Sequence, residues 1–80
     1  MNNKEKYDNI YIETFGVEAE VLESLEYNSI PQWDSVGHMG LMAALEETFG
    51  IMMDMEEIIN FNSHQKGLEI IEKHNVNFEE

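Results

Sequence analysis

Cysteine is absent from this 80-residue chain, which removes both a disulfide framework and a thiolate metal site and leaves apolar packing to hold the fold. A reducing, cytoplasmic setting is the natural expectation. Basic side chains are scarce: four lysines and arginines stand against 17 acids, for a formal net charge of −13. A field of that sign repels phosphate backbones and anionic lipid surfaces, so nucleic-acid binding is not expected. It attracts partners that carry a basic patch and speeds their encounter in a salt-dependent way. No apolar run approaches the roughly 20 residues needed to span a bilayer, and the segment Met1 to Tyr7 lacks the apolar stretch of a signal peptide, so no membrane association is expected. Proline occurs once, and no alternating run of β-branched residues suggests a sheet.

What remains is helical. Hydrophobic residues make up 42% of the chain, enough for a compact core in one small domain spanning residues 1–80. Tyr7, Ile10, Tyr11 and Phe15 recur at helical spacing, and Gly16 is placed to end that helix in a left-handed turn. From Val17 to Trp33 the period fades, with Asn28, Ser29 and Pro31 marking loop. A connection that long needs pinning, and Leu22, Leu25, Tyr27 and Ile30 are the candidates. Val36, Met39, Met42, Leu45 and Phe49 then form an apolar stripe along a helix of roughly 22 Å, with Gly50 as its C-cap. Asp54 with Glu57 three residues on reads as the cap of a short helix. Asn62 or Ser63 can cap a last helix whose Leu68, Ile71 and His74 share a face. The tail 77–80 is expected to fray. The fold class is therefore all-α, a small bundle of three main helices plus one short helix, with a long loop between the first two.

Trp33-Asp34-Ser35-Val36-Gly37-His38-Met39 sits where the loop becomes a helix. Asp34 can cap it, and a phosphate joined to the Ser35 hydroxyl would face the positive end of the helix dipole and its unpaired N–H groups. An ordinary first-turn serine is the plainer reading. His38 lies three residues beyond Ser35, but no orienting acid or oxyanion hole accompanies the pair, which argues against a hydrolase. His64 and His74 lack metal-ligand spacing and read as surface residues. The segment from Asp54 to Asn60 lacks the alternating ligands and central glycine of a calcium loop. Met39, Met42, Met52, Met53 and Met55 read first as core filling and second as a deformable cleft. Trp33 reads as a packing anchor at the helix base.

Taken together, Trp33 to Met39, Ala44-Leu45-Glu46-Glu47-Thr48-Phe49-Gly50 and Asp54-Met55-Glu56-Glu57-Ile58 closely resemble the acyl carrier protein family, and the resemblance runs from Phe15-Gly16-Val17 to Gly67-Leu68-Glu69-Ile70-Ile71. It implies a non-catalytic, monomeric carrier whose Ser35 receives 4′-phosphopantetheine from coenzyme A through a phosphopantetheinyl transferase with magnesium. Asp34 would serve recognition by that transferase. Val36, Met39, Glu46, Glu47, Glu56 and Glu57 would face partner enzymes with basic patches: synthases, and ligases or transferases that load an acyl or aminoacyl group. The cargo would be a fatty, polyketide or specialised acyl group carried as a thioester, or an amino acid as in aminoacyl and D-alanyl carriers. A cofactor-free acidic interaction module of the same architecture is the alternative from another class. Val36 departs from the leucine usual after the serine. Gly37 and Gly40 replace early-helix acids, at a cost of roughly 1 kcal/mol each relative to alanine.

Overall fold

A computed structural model describes residues 1–78 of the chain. Four α-helices, α1 (Asn3–Phe15), α2 (Ser35–Phe49), α3 (Met55–Asn60) and α4 (His64–Glu72), and one 3-10 helix (Ala19–Ser24) make an all-α bundle. The described residues contain no strand, only an isolated antiparallel bridge between Glu26 and Ser63.

Local chemistry sets the helix ends. Asn2 and Glu5 form a reciprocal capping box at the start of α1, which satisfies two amide donors that the helix itself leaves unpaired. Gly16 and Gly50 close α1 and α2 at φ 69° and 62°, a left-handed conformation that costs glycine little. Asp54 and Glu57 box α3, and the Ser63 hydroxyl oxygen, rather than Asn62, accepts the Lys66 amide at the head of α4.

The core begins on α1, which buries Tyr7, Ile10, Tyr11 and Phe15 in the face that its spacing indicates. Trp33 is fully buried, stacked on Phe15 at 5.4 Å and edge-on to Tyr11 at 5.7 Å between ring centroids. The long connection is pinned by buried Leu22 and Leu25, with Ile30 packed at the margin. Tyr27 does not join them: it is 37% exposed and lies on the surface beside α2. Two backbone bonds clasp this loop to the link before α4, from Tyr27 N–H to the Asn62 carbonyl at 2.9 Å and from His64 N–H to the Leu25 carbonyl at 3.0 Å.

Helix α2 corrects the expected stripe. Its buried residues are Leu41, Met42 and Leu45, with Phe49 at the margin, while Val36 is 81% and Met39 56% exposed. The methionines divide likewise: Met42 and Met53 fill the core, but Met39, Met52 and Met55 face outward. Helix α3 buries no residue fully. It is held by Ile58, which packs partly buried against the core, by a bond between the Ile58 carbonyl and His38, and by a hydrogen bond between Glu57 and His74 at 3.0 Å. On α4 the buried set is His64, Gly67, Ile70 and Ile71, with Leu68 half-buried. The end of the chain is also corrected. Phe78 packs edge-on against Tyr7 and Phe49, and the Asn77 carbonyl accepts a bond from the Asn3 side chain at 3.0 Å; residues 79–80 of the expected frayed tail lie outside the described residues.

Surface histidines are the remaining correction. His64 is fully buried, its Nε2 2.7 Å from an Asp8 carboxylate oxygen and its Nδ1 3.1 Å from the Gln65 amide nitrogen. A carboxylate accepts, so Nε2 carries the proton and Nδ1 accepts from Gln65. Burial pushes the His64 imidazole below its ordinary range, and the bond to Asp8 opposes that shift only in part. Beside it Tyr7 Oη lies 2.7 Å from the His64 carbonyl and 2.7 Å from Tyr11 Oη. A carbonyl can only accept and Tyr7 has one proton, so the order of donation runs from Tyr11 to Tyr7 to the carbonyl. No buried side-chain nitrogen or oxygen among the described residues lacks a partner.

Candidate functional site at the head of helix α2

Asp34 is the N-cap of α2, its side chain accepting the Gly37 amide at 2.8 Å. The cap leaves Ser35 as the first helical residue, with an exposed side chain. Gly37 is not merely a gap in an acidic turn. A Cβ there would collide with the Gln32 carbonyl oxygen and lie 3.3 Å from the Phe15 ring, so the loop backbone crosses the helix where only glycine leaves room. Gly40 has no such neighbour within 4 Å. The crossing is locked by Gln32, whose side-chain amide donates to the Phe15 carbonyl at 3.2 Å.

His38 is a strut. The indole N–H of Trp33 can only donate, and it reaches His38 Nδ1 at 2.9 Å; Nε2 must then carry the ring proton that meets the Ile58 carbonyl at 2.8 Å. Loop, α2 and α3 are thereby tied through one neutral imidazole. Its ring also braces Tyr27, edge-on at 5.4 Å, and the Tyr27 hydroxyl sits 3.1 Å from Ser35 Oγ. His38 thus faces a carbonyl, an indole and a phenol ring, and does not pair with Ser35 as a base.

A groove of about 370 Å³ opens beside the serine between α2 and α3, lined by Tyr27, Ser35, His38, Met39, Ile58, Ile59, Phe61 and Asn62. Of these, Ser35 and Met39 are the site residues expected from sequence and Tyr27 was expected as a core pin; Ile58, Ile59, Phe61 and Asn62 lie more than twenty positions after Ser35, and nothing local places them beside it. Val36 and Met39 are accessible, and Ile59 is 71% exposed, an apolar rim on a strongly acidic molecule.

The four glutamates expected at a partner surface play different parts. Glu47 and Glu56 are exposed, whereas Glu46 and Glu57 are half-buried. Glu46 accepts the Met53 amide at 2.9 Å and so holds the link between α2 and α3, and Glu57 closes the α3 capping box and pairs with His74.

Among the described residues no cluster of three or more His, Cys, Asp or Glu could hold a metal ion, and no helix is long and apolar enough to cross a membrane. Comparison with protein-family models, curated proteins and solved structures found no match to this chain.

Proposed function

We propose that this chain is a carrier protein of the acyl-carrier class, bearing a 4′-phosphopantetheine arm on Ser35 and presenting acyl intermediates of fatty-acid, polyketide or specialised biosynthesis to separate enzymes. The observation that carries this reading is the exposed Ser35 hydroxyl at the head of α2, beside its Asp34 cap and at the edge of an apolar groove. A helix start favours an anionic ester through its dipole and its unpaired amides, and the apolar groove offers an adjacent surface to whatever the ester carries.

In the loading reaction Ser35 Oγ bonds to the phosphorus attached to pantetheine in coenzyme A. The bond from that phosphorus to the bridging oxygen breaks, adenosine 3′,5′-bisphosphate leaves, and the hydroxyl proton passes to a base of the transferase. The terminal thiol of the arm supplies thioester chemistry that this cysteine-free sequence lacks. The carrier's own residues position: Asp34 fixes the helix start and the transferase's approach, Val36 and Met39 offer apolar contact, and Glu47 and Glu56 offer charge to basic partners.

Incubation with coenzyme A, magnesium and a broad-specificity phosphopantetheinyl transferase tests the reading. Intact mass should rise by one phosphopantetheine, and Ser35→Ala should show no gain. No gain in the wild-type chain, under conditions that load a control carrier, would leave the cofactor-free acidic docking module as the better account.

A further inference from the structure

Tyr27 is the residue for which the fold has made provision without an evident structural return. Its aromatic ring stays 37% exposed, yet the chain around it is fixed from several sides. Its N–H is bonded to the Asn62 carbonyl at 2.9 Å. Asn28, next in sequence, takes a left-handed φ of 68° and donates its N–H to the Trp33 carbonyl at 2.9 Å. Before it, the Glu26 amide is held by the Ser29 hydroxyl at 3.0 Å and Ser29 N–H returns to the Glu26 carbonyl at 2.9 Å. The ring itself leans on His38, which is immobilised by Trp33 and the Ile58 carbonyl. The outcome of this bracing is one phenol hydroxyl held 3.1 Å from Ser35 Oγ.

We propose that Tyr27 is a positioning residue for the phosphodiester on Ser35, donating its hydroxyl proton to that group once the serine is modified. The inference rests on the carrier reading and deepens it. In the unmodified chain either hydroxyl can donate to the other. Esterification removes the proton from Ser35 Oγ, so afterwards only Tyr27 can be the donor. Its target is Oγ or a non-bridging phosphate oxygen two bonds further out, and the negative charge of the diester strengthens such a hydrogen bond. No lysine lines this groove, and Asp34 beside the serine is an acceptor, one of whose carboxylate oxygens takes the Gly37 amide. Tyr27 is thus a neutral donor already held at the serine oxygen, in addition to the free amides of the helix start, and it fixes the base of the arm along the groove rather than away from it.

The experiment compares the wild-type chain with Tyr27→Phe, each before and after loading from coenzyme A. Both should take up one phosphopantetheine on Ser35, and both should keep the same backbone amide fingerprint away from the site. In the wild type, loading should shift the Tyr27 ring 13Cζ resonance while those of Tyr7 and Tyr11 stay in place. In the loaded proteins the 31P resonance should differ between wild type and Tyr27→Phe, a signal that a purely structural tyrosine would not move. An unmoved Tyr27 13Cζ on loading, or coincident 31P resonances, would overturn the role of Tyr27 and leave the carrier reading standing. Failure of the wild type to load at all would overturn both.

Discussion

The order of donation from Tyr11 through Tyr7 to the His64 carbonyl makes the two hydroxyls unequal, although both side chains are fully buried. Tyr11→Phe removes the first donor in the chain. Tyr7 still donates to the carbonyl, no buried group is orphaned, and the loss is that of one ordinary hydrogen bond, about 0.5–1.5 kcal/mol. Tyr7→Phe removes the middle member: the His64 carbonyl keeps its place in the α4 backbone ladder, but the buried Tyr11 hydroxyl is stranded. At about 1–3 kcal/mol for the stranded hydroxyl and about 0.5–1.5 kcal/mol for the lost bond to the carbonyl, the cost is roughly 1.5–4.5 kcal/mol, a large part of the roughly 4–12 kcal/mol available to a domain of this size. The decisive measurement is the double variant. In the Tyr7→Phe background, Tyr11→Phe deletes a stranded hydroxyl and should restore stability, so one substitution changes sign with its context. Urea unfolding followed by Trp33 fluorescence, with thermal melts alongside, reads all four proteins; each kcal/mol corresponds to about 4–8 °C in a domain of this length. Equal losses for the two single variants, or a double variant less stable than Tyr7→Phe, would refute the assigned order.

Three further outcomes are expected. His64 is held below its ordinary value of 6.5, so the unfolded chain takes up the proton first: its contribution to stability is present above 6.5 and is lost as pH falls through the lower folded-state value. The urea midpoint should therefore fall between about pH 7 and about pH 5, with a shallower slope for His64→Gln; an identical slope would remove His64 as the cause. Gly40→Ala should stabilise by up to about 1 kcal/mol, whereas Gly37→Ala should gain the same propensity and lose about 1–3 kcal/mol against the Gln32 carbonyl, so melting temperatures that rise together would contradict the close crossing. Glu47→Lys with Glu56→Lys should slow phosphopantetheine loading at low salt by about tenfold or more, and Glu13→Lys with Glu69→Lys, an equal change of charge on exposed positions of α1 and α4, much less; equal slowing would mean that net charge alone governs encounter.

Much of the fold was legible because helix ends obey local chemistry: Gly16, Gly50, Asp54 and Ser63 are read within a turn of themselves. Faces were harder. Val36 and Met39 continue an apolar period with Met42 and Leu45, but α2 carries apolar side chains around much of its circumference, and periodicity counts residue types without knowing where the neighbouring helix lies. His64 escaped for a related reason, since its partner Asp8 is 56 positions away. That Asp34 caps α2 and Ser35 opens it was readable from the loop-to-helix transition. Tyr27 was misread because an aromatic ring in a loop is taken for core, and its hydroxyl gains meaning only when a left-handed Asn28 and a distant Asn62 turn it toward α2.

The outward-facing methionines of α2, α3 and the link between them have a chemical consequence. Thioethers at positions 39, 52 and 55 are open to peroxide, while those at 42 and 53 are shielded. Sulfoxide formation would make this apolar flank polar without disturbing the interior, so oxidative damage would alter the surface well before it registered as unfolding, and methionine sulfoxide reductases could reverse it.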